Sequence, residues 1–459
     1  MKTTCFNCFV ATLLVLISCS QKGWADDWPQ WLGPRRDSVW RETGILERFP
    51  QNGPPLRWKT TVSGGYSGPA VANGRVFVMD WVALPQKTPP KNLNTGEIPK
   101  NHNFVRELHP GTERVVCLRE RDGIKLWQHT YRCDYTTVST YAIGPRCTPT
   151  IDGNRVFTLG AEGHLICFDV TDGTVVWSRN FVEDYKLTIP EWGIAAHPLV
   201  DGEQLICVVG GKDSVCIAFD KRTGQERWRA LDARQPGYCA PMIYEIAGKR
   251  QLLIWHSDSI NAIDPESGEL YWSVPFESTF AMSIGVPRLS NHRLFIMSFH
   301  RQSAAIDIAQ DGLSAEIAWR GSGRKGVGGV MNNAFLQDGH IFACGEGGRY
   351  TCVNLDTGDR LWTTYEPTSG KRPVHWGSAF TIRHKDRFFI ANDFGDLIIA
   401  RLSPLGYEEV SRAHLITPTH NVGSRTLVWS HPAFANRSVY LRNDKELRCY
   451  SLQAKSETN

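Results

Sequence analysis

One short pattern recurs along this chain and leaves few folds open to it: an apolar run ending in Asp or a substitute, a turn, a Gly, three residues and a Trp. Its copies are CLRERDGIKLW ending at Trp127, CFDVTDGTVVW at Trp177, AFDKRTGQERW at Trp228, AIDPESGELYW at Trp272, a lengthened AIDIAQDGLSAEIAW at Trp319, and CVNLDTGDRLW at Trp362. A worn copy, ARLSPLGYEEV, carries Val410 at the Trp station. Successive stations lie 43 to 51 residues apart, the length of a four-stranded propeller blade. Upstream, PLRW puts Trp58 at the same station.

The other half of each unit repeats as well. Pro69, Pro149, Pro198, Pro241, Pro287, Ala334, Ala379 and Pro432 each open a short apolar strand, where a Pro costs no ladder bond. Asn73-Gly74, Asp152-Gly153, Asp201-Gly202 and Asp338-Gly339 then supply the tight turns that hairpins with positive φ demand. A unit therefore reads inner strand, tight turn, second strand, loop, third strand, Asp-x-x-Thr/Ser-Gly turn, and an outer strand ending near Trp. The last unit, HPAFANRSVYLRNDKELRCYSL, has no outer strand of its own, and Trp58 precedes the first inner strand. An all-β, eight-bladed propeller closed by an N-terminal strand joining the last blade satisfies both facts and leaves no open sheet edge.

Outside residues 58–459 the chain divides into a 1–25 signal peptide and a 26–57 N-terminal leader segment. Lys2, the apolar run Phe9 to Ile17 and the small-x-small triplet Gly23-Trp24-Ala25 form a signal peptide, so export is expected. Leu16-Ile17-Ser18-Cys19 competes at the same place as a lipobox, with Cys19 the candidate lipidation site and the lipid an anchor. Nine apolar residues fall short of the ~20 a bilayer-spanning helix needs, so no transmembrane span is expected. Charge excludes another class: 51 Lys+Arg stand against 47 Asp+Glu with no basic block, so nucleic acid is not an expected partner. The cysteines of the mature chain sit mostly in apolar strand-like runs and read as small buried hydrophobes. An oxidising compartment would permit a bridge such as Cys133 to Cys147, with connectivity open.

The Asp-x-x-Thr-Gly-x-x-x-Trp copies resemble the tryptophan-docking repeats of the pyrroloquinoline-quinone (PQQ) type β-propeller, found in quinoprotein alcohol dehydrogenases and in the BamB lipoprotein of outer-membrane assembly. The leader residues DWPQWLGPRRDS also resemble exported planctomycete PQQ-repeat proteins. In the dehydrogenases the resemblance implies a quinone held between a Trp floor and a ring of two adjacent cysteines, with Ca²⁺ held by Glu, Asn and Asp beside a catalytic Asp. This chain has no Cys-Cys dipeptide, and its repeat aspartates Asp169, Asp220 and Asp264 belong to turns, where they are expected to hold backbone N–H groups. No cofactor is therefore expected, and no catalytic or metal-binding residue is assigned.

The candidate site is the channel mouth on the face carrying the variable connections. There the residues before each inner strand converge, and Tyr66, Arg146, His197, Tyr238, Asn333, Trp376, Trp429 and His431 are the candidate binding residues. Cationic and aromatic groups together suit an anionic or planar ligand. The same face carries the excursion Val82 to Glu113, read as a lid or a mobile loop. The expectation is an exported, non-catalytic binding or scaffold protein of the periplasm or cell envelope, BamB-like, engaging an envelope protein or polymer through this face. The alternatives are a PQQ-dependent oxidoreductase and a carbohydrate- or cell-wall-binding propeller.

Overall fold

The computed structural model describes residues 26–423 and 425–454; the signal peptide and Cys19 lie outside them. Eight four-stranded antiparallel sheets form the ring. The first blade runs Ala70–Ala72, Arg75–Ala83, Gly111–Arg119 and Lys125–Arg132 from the channel outward. In the last, Ala433–Ala435, Ser438–Arg442 and Glu446–Ser451 take the N-terminal strand Leu56–Thr61 as their outermost member. The ring is thus closed by pairs such as Trp58 with Cys449 and Thr60 with Leu447.

The repeat owes its residue types to blade stacking. Second and third strands are covered on both faces by neighbouring blades, so they read as unbroken apolar runs such as LICFD and QLICV rather than alternating ones. In the outer strands that carry a Trp, the chain bulges just before it, with Leu126, Val176 and Leu361 left out of the pairing, which adds the local twist a blade needs; in the worn copy Val410 is itself the residue left out. The indole N–H groups of Trp58, Trp127, Trp177, Trp319 and Trp362 donate to backbone carbonyls of the following blade. Trp228 and Trp272 donate instead to Gln204 and Gln251 of their own blades. The turn Gly serves the preceding blade's Trp: at Gly173 φ is +77° and a Cβ would stand 2.6 Å from the Trp127 ring. The turn acids do what was expected, Asp220 and Asp264 each accepting two backbone N–H groups and Asp169 one.

The 26–57 segment is part of the ring rather than an appendage. Trp28 pairs with Val71, and Pro29 accepts from Ile151. Arg36, buried, donates to carbonyls of His197, Pro198 and Pro241. Arg288 reaches back to the Arg36 carbonyl and the Ser38 hydroxyl, and Trp40 bonds Arg383. The segment enters on the tight-turn face, where Asp27 accepts from Asn73, and laces the inner strands of most blades into a plug.

One boundary needs correction, and the bridge left open between Cys133 and Cys147 does not form while the reading of the cysteines as buried hydrophobes holds. The excursion is shorter than Val82 to Glu113, because Val82 and Ala83 still pair with Thr112 and Gly111, and Trp81 with Glu113. What leaves the ladder is 84–110, which folds back through the pairing of Lys91–Asn92 with Glu107–Leu108 and a 3₁₀ turn at His102–Phe104. The cysteines among the described residues are free and buried, Cys133 and Cys147 included. No helix among those residues is long and apolar enough to cross a membrane.

Candidate functional site

Counting three residues back from each inner-strand start gives one residue per blade: Tyr66, Arg146, Ala195, Tyr238, Ile284, Met331, Trp376 and Trp429. All eight line one cavity of about 330 Å³ at the mouth of the channel, open to solvent on the loop-rich face. The eightfold repeat of the backbone therefore builds a cup whose wall is set blade by blade. Irregular connections complete it with Tyr141, Trp192, Phe299 and Phe280. The insertion adds Asn101, Asn103 and Phe104; Asn103 accepts from the Tyr141 hydroxyl at 2.9 Å, and the Phe104 ring lies 5.2 Å from that of Phe280. The insertion thus stands at the rim of the cup, where a side of blade 1 touches the connection after blade 4.

Phe280 and Ala281 hold φ of +55° and +57°, a region side chains rarely adopt. Phe280 nonetheless stays largely exposed on the rim. Backbone strain of this kind collects where the surrounding structure must present a group in one place.

The cup is apolar in its walls and cationic at one point. Arg146, 9% exposed, donates to the carbonyls of Gly144 and Tyr141 at 2.5 and 2.7 Å and lies 5.2 Å over the Tyr66 ring. It forms no ion pair among the described residues, and its direct partners are the two carbonyls and the Tyr66 ring face. The Tyr238 hydroxyl and the Trp376 and Trp429 indole N–H groups are buried in the same wall without hydrogen-bond partners. Tyr66 bonds His420 Nε2 at 2.9 Å. Burial pushes the Tyr66 and Tyr238 phenols far above their ordinary range, and lowers His420 below its own, so all three are neutral near pH 7. The cup therefore offers donors, one cation and flat apolar surface.

Three of the expected residues lie elsewhere. His197 and His431, two residues further along, face the plug: Trp31 stacks on His197 at 4.3 Å and meets His431 edge-on at 5.6 Å. Asn333 turns its amide oxygen to the Val286 N–H. None of the three lines the cup, because two residues further toward the inner strand the ring of side chains lies below the mouth, in the layer the leader fills. Conversely, Ala195, Ile284 and Met331 complete the ring at a register countable in the sequence, where their apolar side chains carry no chemical signal. Trp192, Phe104, Phe280 and Phe299 stand on connections that carry no repeat signal.

The residues present do not fit metal-assisted quinone chemistry. No carboxylate lines the cup, no cluster of His, Cys, Asp or Glu suited to a metal occurs among the described residues, and none of the free cysteines reaches its wall.

Comparison with known proteins agrees with this architecture. The family model described as outer membrane protein assembly factor BamB matches residues 111–364 and, overlapping, 256–457. The chain belongs to this PQQ-repeat family. BamB from Moraxella catarrhalis superposes with a TM-score of 0.50 at 17% identity, over 83% of this chain and 99% of that one. A quinohemoprotein alcohol dehydrogenase from Comamonas testosteroni gives 0.57 at 13% identity, over 94% and 81%. The computationally designed Ika8 protein gives 0.50 at 11%, over 86% and 99%. At these identities the likeness is one of fold. No curated protein sequence matches the chain.

Proposed function

We propose that this BamB-family propeller is an exported, non-catalytic binding protein of the cell envelope whose recognition site is the cup. Its ligand carries an anionic group on a flat apolar body, free or displayed by an envelope protein or polymer. The observation that carries this reading is Arg146, a buried guanidinium without a carboxylate partner, set among aromatic walls that also hold three unpartnered donors. Leaving such groups unmet costs stability, and an anion that meets them recovers it. The signal peptide, the lipobox at Cys19 and the family's name support an envelope location. The plug supports a binding rather than a conducting role, because it fills the far end of the channel.

Calorimetric titration with 2-naphthoate and its neutral counterpart 2-naphthylmethanol tests the reading. The acid is expected to bind about tenfold or more tightly than the alcohol, a difference that Arg146→Gln abolishes. Equal affinities in the unaltered protein would contradict it. So would alcohol turnover in a dye-linked assay with PQQ and Ca²⁺, which would establish the oxidoreductase.

A further inference from the structure

A second cavity, of about 510 Å³, opens beside the cup and shares with it Phe104, Trp192 and Phe280. Its character is the reverse. Three of its polar side chains, Glu191, Gln235 and Ser278, hold a buried oxygen with no hydrogen-bond partner. Ser278 is only 1% exposed, so water has little access to it. The carboxylate oxygen of Glu191 and the amide oxygen of Gln235 can only accept, so what is missing is a donor. The other charges here are spent: Arg234 pairs with Glu277 at 2.9 Å and with Asp258 at 3.5 Å. Arg106 gives Nε to the Thr136 carbonyl and one terminal N–H to that of Ile189, and forms no ion pair with Glu191. Nor does Arg146, whose donors go to Gly144 and Tyr141.

An unpaired carboxylate and an unpaired guanidinium thus stand on the two sides of one aromatic rim, in connections that follow consecutive blades. Arg146 is buried, Glu191 is half-buried with one carboxylate oxygen shielded, and the two do not offset one another by pairing. A ligand charged at both ends would offset both. We infer that the second cavity is a cation subsite: Glu191, with the Gln235 and Ser278 oxygens, receives an ammonium group on the ligand whose anionic end meets Arg146. The ligand class is a dipolar molecule, an apolar or aromatic body crossing Trp192 with a carboxylate-like group at one end and an amine at the other. This rests on the reading of the cup given above and names what the cup alone leaves open.

Two probes separate the two readings: 6-methyl-2-naphthoate, which carries only the anion, and 6-(aminomethyl)-2-naphthoate, which carries both charges. Both are titrated by calorimetry into the full-length protein and its Glu191→Gln and Arg146→Gln variants. Glu191 makes no side-chain hydrogen bond or ion pair, so its replacement leaves the fold intact. The amine-bearing probe is expected to bind the unaltered protein about tenfold more tightly than the methyl probe. Glu191→Gln should erase that advantage while leaving the methyl probe's affinity within about twofold, and Arg146→Gln should weaken both. Equal affinities of the two probes for the unaltered protein, or an advantage that survives Glu191→Gln, would overturn the cation subsite alone. Failure of both probes to bind, or binding indifferent to Arg146→Gln, would overturn the anion site on which it rests.

Discussion

The two ends of the channel are built from the same repeat positions and come out differently. At the tight-turn end, Trp31 and Arg36 of the leader occupy the axis against His197 and His431, and the cavity beside Trp31 and His431 is about 10 Å³, room for a single water. At the loop end, two residues back along the same segments, the axis is an aromatic cup of about 330 Å³. Unpartnered polar atoms occur at both ends, for the Trp31 indole N–H and Arg36 Nε lack partners too. They therefore do not by themselves mark a site. What separates the ends is space: the plug end has been filled by the chain itself, while the cup has been bordered by an insertion but left empty of side chains.

The largest effect should come from breaking the scaffold both ends share. Deleting residues from Asn443 onward removes Glu446–Ser451, the strand to which the N-terminal Leu56–Thr61 is paired. Circular dichroism should show the whole ring lost in one transition at every temperature tested. A truncated protein melting like the full chain would mean that closure contributes nothing.

Next comes a pair of tryptophans of similar burial. Trp31 is 4% exposed in the plug and Trp429 6% exposed in the cup wall. Trp31→Ala should cost about 3–5 kcal/mol in urea unfolding, since packed side chains surround it and the void cannot collapse. Trp429→Ala should cost less, under about 2 kcal/mol, because it enlarges a space water already enters. Equal costs would erase the distinction between a filled and an open end.

The smallest effect is a slope. Burial lowers His431 to about 3 and, with the neighbouring His431 and Arg36 charges adding, holds His197 well below its usual range. Folded-state values below the unfolded one, near 6.5, mean that the unfolded chain takes up protons the fold refuses. Stability is then full above about pH 6.5 and falls with acidification by about 1.4 kcal/mol per unit for each such histidine. His431→Gln should remove one share of that slope between pH 6.5 and 5; an unchanged slope would place His431 outside the buried layer.

How much of this was legible follows from repetition. Trp stations, turn glycines and inner-strand prolines each recur at fixed intervals, so blade count and closure could be read without contacts. The ring of Tyr66, Arg146, Tyr238, Trp376 and Trp429 was legible for the same reason. His197 and His431 misled because depth along the axis is not written in the repeat: it depends on how far the leader reaches, and DWPQWLGPRRDS is a single copy with no partner pattern. Arg36, in that single copy, is buried among carbonyls, a placement no repeat could signal. Glu191 was invisible for a related reason, since an acid on an unrepeated connection announces itself only by the partners it lacks.

Hydrogen–deuterium exchange with and without saturating 2-naphthoate tests most directly that the cup, and not the plugged end, is where this propeller binds. Protection is expected in the segments that wall the cup, around Arg146, Trp192, Tyr238, Trp376 and Trp429, and in the insertion near Phe104. Protection confined to 26–48 and the tight turns, or none at all at saturation, would contradict the account.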